Sequence, residues 1–510
     1  MSLKRRSFIR NIAFTGFGAT GISSIGIAKN DNNDLFDDVS SMDDRPDLAS
    51  LSSNTQFSSS NLQSSLFVNV KEFGAKGDGL SDDRTAIQAA IDSIHQTGGT
   101  VFIPQGTYRL SLNPEEQLGI KVYSNMQILG AGRGSTILKW LDDVTTTSQH
   151  YLLAAHNGFV ENVTIADFEI DGNKKKRGEA VFQIRGEGIE MDGKNINIRN
   201  MYIHDVLGEG IDCDESDGYF ISNVIIENTG GNGIHCSDAR VRNVIISHCI
   251  TRNCAHGRRS VGNVRYGGLV LRGSNIYVDH HISINDAQIA NIEGQGRGEE
   301  SEIVLSGVVG QSTAEDAEGF RAGMQGRVVL FHCRSNLPNS KKENFRAADF
   351  EGSLHLNHCY AETGDGVPYA LSMKGTLAME GCTAKIKRLK NTGPAYRLWV
   401  DGRITMRNCE YLSPRKKEKE HEVDQIVAVQ IGRNDQTATV EANVTGNYLE
   451  GGGTTIYLTE NVVKGFVSGN ICERGILIKG KQITCVNNVV PDVIDDGTNN
   501  IIEPNYHSIH

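Results

Sequence analysis

The stretch that decides the fold is Leu371-Ser372-Met373-Lys374-Gly375, which returns one repeat later as Leu398-Trp399-Val400-Asp401-Gly402. In both stretches apolar and polar residues alternate, and a glycine follows the last polar residue. The intervals between such endings are mostly about 23 to 27 residues, a period typical of stacked repeat units. The same ending occurs at Asp192-Gly193, Arg272-Gly273, Glu293-Gly294, Gln325-Gly326 and Glu351-Gly352.

Alternation with a period of two inside each repeat, without helices between repeats, indicates short strands that stack from one repeat to the next. A leucine-rich repeat has a similar period, but its Leu-x-x-Leu-x-Leu frame is absent here. A propeller blade needs about 40 residues or more. The sequence therefore predicts an all-β fold, a right-handed parallel β-helix solenoid in which each repeat is one coil.

The spacing of the cysteines favours a buried column over a disulfide framework. Four of the ten cysteines follow short apolar alternations at about the interval of one coil, which would stack small apolar side chains at one corner. These four are Cys333, Cys359, Cys382 and Cys409. We predict the same inner position for Phe168, Met201, Val224, Cys249, Ile282 and Val308.

The N-terminal residues resemble a twin-arginine export signal. The basic run Lys4-Arg5-Arg6 precedes Phe8 and a weakly apolar segment that ends at Ala28. We predict a signal peptide over residues 1–28, a disordered linker over 29–65, a single β-helix catalytic domain over 66–500 and a tail over 501–510. The expected partner is the twin-arginine export machinery, and the mature protein is expected to be secreted or periplasmic, without a membrane span. The net charge of −11 argues against general nucleic-acid binding.

One amphipathic helix is predicted over Asp83 to His95, where it would cover the open end of the solenoid. The residues around it resemble the N-terminal signature of the pectate-lyase-like superfamily, which includes polygalacturonases, other β-helical glycoside hydrolases, polysaccharide lyases and phage depolymerases. The resemblance implies a β-helix and activity on a polysaccharide in its groove, and it leaves the sugar open. It rests on Phe73-Gly74-Ala75-Lys76-Gly77-Asp78-Gly79, Ala86-Ile87-Gln88-Ala89-Ala90-Ile91 and Gly99-Thr100-Val101-Phe102-Ile103-Pro104.

Equivalent outward residues on successive coils should form two columns along one face, because stacked strands lie about 4.8 Å apart. The first predicted column is Glu190, Asp212, His235, Val270, Asn291, Gly323, Asp349, Ser372 and Trp399. The second is Asp192, Asp214, Ser237, Arg272, Glu293, Gln325, Glu351, Lys374 and Asp401.

The first two members of each column bring four acids together on two adjacent coils, namely Glu190, Asp192, Asp212 and Asp214. Like charges at this spacing destabilise a sheet, so the cluster indicates carboxyls that share protons or hold a cation. The alternative is that outward positions are simply polar. The candidate catalytic residues are Asp212, Asp214, Glu190, His235 and Glu209.

Glu209 enters by comparison with the polygalacturonases, whose motifs Asn-Thr-Asp-Gly, Gly-Asp-Asp and Gly-His-Gly are replaced here by Leu207-Gly208-Glu209-Gly210, Gly230-Gly231-Asn232-Gly233 and Tyr266-Gly267-Gly268. Because the Asp pair and the His are missing, the chain is not expected to be a polygalacturonase.

Hydrolysis of an acidic, uronate or sulfated glycan by two groove carboxyls is the predicted reaction, without a cofactor. The first alternative is a polysaccharide lyase, in which Asp192, Asp212 and Asp214 hold calcium and Arg272 takes the proton. A glycan-binding β-helix without catalysis is the second alternative. The predicted substrate-binding residues are Asp192, Arg272, Glu293, Lys374, Trp399 and Tyr266.

Overall fold

The computed structural model describes residues 66–144, 148–177, 186–255, 267–294, 301–387, 393–412, 427–433, 437–450 and 454–506. Within these residues the chain winds into coils of three short faces, and the strands of successive coils pair in parallel. A 26-stranded sheet contains the first two faces, and a 15-stranded sheet forms the third. The predicted all-β parallel β-helix is confirmed. The predicted signal peptide and linker lie outside the described residues.

The strands are given by face, and we call the first face the groove face. Strands of the groove face alone are Leu118–Val122, His150–Ala155, Gly186–Glu190, Ile211–Asp212, Gln288–Gly294, Val429–Ile431, Thr454–Leu458, Gly475–Ile478 and Val493–Asp495. Strands of the second face alone are Leu66–Asn69, Gly99–Ile103, Met126–Gly130, Val160–Ala166, Gly193–Arg199, Asp217–Ser222, Glu302–Ser306, Val440–Thr445, Val462–Ser468, Ile483–Val486 and Ile501–Ile502.

Six longer strands run through both of these faces: Ile234–Ser247, Leu269–Asp279, Glu318–Phe331, Phe345–Asn357, Tyr369–Glu380 and Tyr396–Arg407. Strands of the third face are Asp78–Asp82, Gly106–Leu110, Thr136–Trp140, Glu169–Asp171, Tyr202–His204, Ile225–Glu227, Ile250–Arg252, Ile282–Ile284, Val309–Gln311, Arg334–Leu337, Tyr360–Thr363, Thr383–Ile386, Glu410–Leu412, Tyr448–Leu449 and Ile471–Cys472.

The predicted capping helix is present as Arg84–Ile94, with Ile87, Ala90, Ile91 and Ile94 buried. Asp83, just before it, is buried and accepts hydrogen bonds from the Lys76 and Gly77 amides, which ties the helix to the preceding loop. The other helical segments are the short helix Lys174–Arg177 and the 3-10 turns Val70–Phe73 and His156–Gly158. No helix in the described part of the chain is long and apolar enough to cross a membrane.

A residue with left-handed backbone stands just before most third-face strands, and these residues are Asn, Asp, His or Gly, which tolerate that conformation. We call the position between the second and third faces the 2–3 corner. On seven successive coils it is occupied by Asn200, Asn223, His248, His280, Gly307, His332 and His358.

The glycines that end the repeats are required by the close approach of successive coils. Gly375 and Gly402 have φ of 117° and 139°. A Cβ added at Gly375 would lie 2.1 Å from the carbonyl oxygen of Gly352, and one added at Gly402 would lie 2.2 Å from that of Gly375. A larger residue would therefore push the coils apart.

An inner column follows the 2–3 corner, and it contains the predicted cysteines. Cys333, Cys359, Cys382 and Cys409 are buried in it, and all ten cysteines of the chain are buried, unbonded thiols. The predicted member Ile282 is wrong. It is 40% exposed, and His281 is fully buried instead, because His280 is the corner residue and the residue after the corner turns inward.

The same inner column ends in an asparagine ladder. The Asn447 side-chain amide donates to Asn470 at 2.8 Å, Asn470 to Asn488 at 2.9 Å, and Asn488 to Asn505 at 2.9 Å. The strand Ile501–Ile502 pairs with Thr484 and Cys485 of the coil below. The last coil therefore continues past the predicted boundary at residue 500, because residues 501–505 still supply ladder hydrogen bonds.

Candidate functional site

We call the end of the groove face nearer the N-terminal cap its lower end. The lower groove face brings together the predicted acids in the predicted register. Glu190 pairs with Asp212, and Asp212 pairs with His235 on the next coil. The buried residues Ile189, Ile211 and Ile234 alternate with them and face the core. The period-two alternation therefore places these polar side chains together on the outer side of the groove face.

Asp212 and His235 form the centre of this site. The Asp212 carboxylate is buried, and its Oδ1 lies 3.0 Å from Nδ1 of the half-buried His235. Asp214 Oδ1 accepts a 2.9 Å hydrogen bond from the Ser237 amide. One ligand atom from each of Asp212, Asp214 and His235 lies within 4.8 Å of the others.

The carboxyls around this pair hold their protons to unusually high pH. Burial, then the charges of Asp212 and Asp214, raise the pKa of Glu190 to about 7. Burial, then Glu190 and Asp214, raise the pKa of Asp192 to about 8. Burial and Asp212 also raise the pKa of Asp214. At neutral pH the cluster therefore contains hydrogen-bond donors as well as acceptors.

His235 holds its proton for the opposite reason. Burial lowers its pKa, but the hydrogen bond to Asp212 and the charges of Asp212, Glu209 and Asp214 outweigh burial and raise the pKa to about 9. Glu209 is itself buried, and its Oε1 lies 2.7 Å from the place that a Cβ on Gly231 would occupy. The site is thus a cationic imidazole held among carboxyls.

Above the acids, the predicted columns are correct as far as Asn291 and Glu293. Ser237 pairs with Arg272, and Arg272 pairs with Glu293, so Arg272 lies two coils above Asp214 as predicted. At the next coil the prediction is wrong by two residues, although Gln325, Glu351, Lys374 and Asp401 stack on one another as predicted. Asn291 pairs with Arg321 and Glu293 with Gly323, in place of Gly323 and Gln325.

A buried aromatic stack begins on the first coil above this step. Phe320, Phe345, Tyr369 and Tyr396 stack on successive coils with ring centres 4.8, 5.0 and 4.9 Å apart. The predicted alignment matched Gly326 to Gly294, whereas Gly294 pairs with Met324. The extra residues are absorbed where the ladder is irregular, at Met324 and Asp349, which have φ of 62° and 54°.

The corrected register brings a column of arginines onto the groove face. Arg321 pairs with Arg346, and Arg397 follows two coils higher, beyond Ala370. Glu343 contacts both Arg346, at 3.1 Å, and Arg397. Arg321, Arg346, Lys341 and Lys342 line a cleft of about 450 Å³. The sequence signal was available, because each arginine follows one residue of the aromatic stack.

The predicted substrate-binding residues are not all near the acids. Glu293 bonds to Arg321 at 3.0 Å, three coils above Asp214. Lys374 and Trp399 stand six or seven coils above the acids, roughly 30 Å away. The Trp399 ring lies between the guanidiniums of Arg397 and Arg433, at 4.8 and 5.1 Å. Tyr266 lies outside the described residues.

Below the acids, Arg177 and His150 form a pair that sequence analysis did not single out. The Arg177 side chain contacts the His150 ring and lies 5.3 Å from the centre of the Trp140 ring. Burial, together with the Arg177 charge, lowers the pKa of His150 to about 4. His150 is therefore a neutral group at this end of the groove.

The groups that can hold a metal differ from the predicted calcium set. The predicted ligands were Asp192, Asp212 and Asp214, and the structure groups His235 with Asp212 and Asp214 instead. Calcium takes oxygen ligands, so an imidazole in the set disfavours calcium. Asp212, Asp214 and His235 therefore suit proton transfer better than calcium binding.

Residues 67–277 match the family model described as rhamnogalacturonase A/epimerase, pectate lyase-like. The chain is 32% identical over 235 residues to mannuronan C5-epimerase AlgE3 of Azotobacter vinelandii, covering 42% of this chain and 13% of that protein. It is 33% identical over 196 residues to alginate lyase 7 of the same organism, covering 33% of this chain and 23% of that protein.

Among solved structures, the A-module of mannuronan C-5 epimerase AlgE4 from Azotobacter vinelandii is similar over 87% of this chain and 100% of that chain, with a TM-score of 0.38 and 14% identity. The chain thus spans less than a quarter of the length of the two curated relatives. The family match includes the cap, the first coils and the acid cluster. Residues 67–277 therefore resemble the pectate-lyase-like family, as the sequence motifs predicted.

Proposed function

We propose that this chain is a polysaccharide-active enzyme that removes the C5 proton of a uronate residue bound on the lower groove face. The observation that carries the proposal is the Asp212–His235 pair, at 3.0 Å, among carboxyls whose pKa values are raised. The named activities of the relatives support it, because C5 epimerisation and alginate elimination both begin with loss of the proton at C5.

A uronate can bind in an acidic cluster only if its carboxylate is neutralised. The protonated carboxyls of Glu190 and Asp192 can donate hydrogen bonds to it, as buried neutral carboxyls do in other enzymes that stabilise enolates. The positive charge of His235 adds to this effect. Together these groups make the C5 proton more acidic by stabilising the charge that develops when it leaves.

Asp214 and His235 then have complementary roles. The raised pKa of Asp214 makes it a stronger base than an ordinary carboxylate, which suits removal of the C5 proton. His235 carries a proton that it can give to the glycosidic oxygen in an elimination, or back to C5 in an epimerisation. Asp212 orients the imidazole through Nδ1, which leaves Nε2 as the nitrogen that acts on substrate.

Hydrolysis is the second candidate function, and the raised pKa of Glu190 favours it. A carboxyl with a pKa near 7 can donate a proton to a glycosidic oxygen at neutral pH. Asp212 lies directly across from it on the next coil and would be the second carboxylate. Adjacent coils are about 4.8 Å apart, which is close to the carboxyl separation of retaining glycosidases.

The full chain should be incubated in heavy water with polymannuronate, polygalacturonate, a sulfated galactan and a neutral glucan. Ultraviolet absorbance of unsaturated ends reports elimination, deuterium at C5 reports proton exchange, and reducing ends without unsaturation report hydrolysis. We expect deuterium at C5 or unsaturated ends on one of the polyuronates. Reducing ends without either signal would establish hydrolysis and overturn the first proposal. If the protein retards a glycan on a gel but changes it in none of these ways, the chain binds the glycan without catalysis, and the first proposal is overturned.

A further inference from the structure

His248, His280 and Asp279 lie together on the outside of the solenoid, away from the groove face. His248 and His280 occupy the 2–3 corner of adjacent coils, with φ of 54° and 50°. Their rings stack with centres 5.2 Å apart and planes 10° from parallel. Asp279 Oδ2 lies 2.8 Å from Nδ1 of His280.

The backbone holds these three residues in register. The His248 amide donates to the Asp279 carbonyl at 3.0 Å, and the His280 amide donates to the Ser306 carbonyl at 2.9 Å. Asp279 also pairs with Ser247 across the parallel ladder. The two imidazoles and the carboxylate are therefore held by adjacent, hydrogen-bonded coils. The backbone loses little conformational entropy when a ligand binds to them.

One ring nitrogen from each histidine and one Asp279 oxygen lie within 4.8 Å of one another. Three donors on one tetrahedral ion would stand about 3.3 Å apart, given metal–nitrogen bonds near 2.0 Å. The His280 and Asp279 side chains are 65% and 44% exposed, so rotation about their side-chain bonds can close that difference. Water would complete the coordination.

We propose that His248, His280 and Asp279 form a surface site for a borderline transition-metal ion such as Zn²⁺ or Ni²⁺, which would bridge two coils. Two imidazoles and a carboxylate select these ions over Ca²⁺ and Mg²⁺, which prefer all-oxygen sets. The site is independent of the proposed reaction. Because the ion binds the folded chain across two coils, it stabilises the solenoid in proportion to the logarithm of its concentration.

The chain contains a matched control for this site. His332 and His358 occupy the same corner on two higher coils, with ring centres also 5.2 Å apart, but they are grouped with no carboxylate among the described residues. Asn fills the same corner at Asn200, Asn223 and Asn408, all with positive φ. Substitution of His by Asn therefore removes the ligand while keeping a residue that suits the backbone.

The full chain, stripped with a chelator, should be titrated with ZnCl₂ and with NiCl₂ by calorimetry and by thermal unfolding. We expect His248→Asn, His280→Asn and Asp279→Asn each to weaken one binding equivalent by at least about tenfold and to reduce the metal-dependent rise in Tm. His332→Asn and His358→Asn should bind as the parent does. Comparing variants removes any contribution from other histidines.

Two results would overturn the proposal. One is unchanged stoichiometry and Tm response in both His248→Asn and His280→Asn. The other is an equal loss in the His332→Asn and His358→Asn controls, which would show that stacked imidazoles bind the ion without the carboxylate.

Discussion

At the scale of single residues, the behaviour of the lower groove depends on how many negative charges share a small, half-buried volume. The four acids predicted from the alternation do lie on adjacent coils. Their raised pKa values arise because neighbouring strands exclude water from them and because each carboxylate opposes ionisation of the next. Stability and activity should therefore respond in opposite ways to the removal of one acid.

Asp192→Asn should stabilise the protein at high pH. The pKa of Asp192 is raised to about 8 in the folded chain, so the unfolded chain loses this proton first, and stability falls as pH rises from about 4 through 8. The variant lacks this penalty. We expect its urea midpoint to exceed that of the parent at pH 8.5 and to match it near pH 3.5.

Asp238→Asn is the matched control for that measurement. The hydrogen bond from Arg240 lowers the pKa of Asp238, so this substitution should not raise the urea midpoint at high pH. A parent and an Asp192→Asn variant with equal midpoints across the whole pH range would show that Asp192 ionises as freely in the folded chain as in the unfolded chain.

Asp212→Asn and Asp214→Asn should each lower the turnover rate on the true glycan by about 10² to 10⁴, the usual cost of losing a group that transfers or orients a proton. Both changes preserve side-chain size, so the β-helix should remain folded by circular dichroism. Asp349→Asn is the control, because it makes the same change higher on the groove face and keeps a residue that tolerates φ of 54°. Full activity in both test variants would place the catalytic centre elsewhere.

At the scale of the structural element, stacks of similar side chains join successive coils. The stacked aromatics do so in the middle of the solenoid, and the asparagine ladder does so near its C-terminal end. Such a ladder is cooperative, because each side chain bonds to or packs against its equivalents on the two neighbouring coils. The cost of breaking one should exceed that of an ordinary surface substitution.

Asn470→Ala should destabilise the chain by about 1 to 3 kcal/mol, since it removes the side-chain oxygen that accepts from both the backbone N–H and the side-chain amide of the buried Asn447. Asn443→Ala, on the outer side of a nearby second-face strand, should cost about 0.5 kcal/mol or less. Urea unfolding of the two variants measures the difference. Equal losses would show that the ladder contributes no more than a half-buried asparagine outside it.

At the scale of the whole molecule, the acid cluster and a column of arginines lie on different coils of the groove face. Glu190, Asp212 and Asp214 lie on the lower coils, and Arg321, Arg346 and Arg397 follow above them. Arg397 stands seven coils above Asp212, about 34 Å away at 4.8 Å per coil. A glycan long enough to reach both regions would meet the reactive groups at one end and the arginines at the other.

This separation predicts a dependence on substrate length. Arg346→Gln and Arg397→Gln should raise KM for a long anionic glycan and leave kcat unchanged, whereas short oligosaccharides that reach only the acids should show no change in either constant. The KM effect should shrink in high salt, because salt screens the attraction between these partly exposed arginines and the glycan. An equal rise in KM for short and long substrates would mean that the arginines act on the site itself.

The sequence by itself determined the solenoid, the inward and outward sides of its strands, the cysteine column and the grouping of the acids. These features follow from the alternation of polar and apolar residues along each strand, which can be recognised even where loops lengthen a coil. Only the tertiary structure decided the register between Glu293 and the next coil, because Gly294 pairs there with Met324, whose left-handed backbone lies where the ladder is irregular, and not with Gly326.

The tertiary structure also decided the Asp212–His235 bond, the proton affinities around it and the pairing of His248 with His280. A proton affinity depends on burial and on charges contributed by other coils, and a corner position depends on which residue has left-handed backbone. Neither quantity is a property of a local stretch of sequence. Both arise when coils that are about 25 residues apart in the chain come to lie in contact.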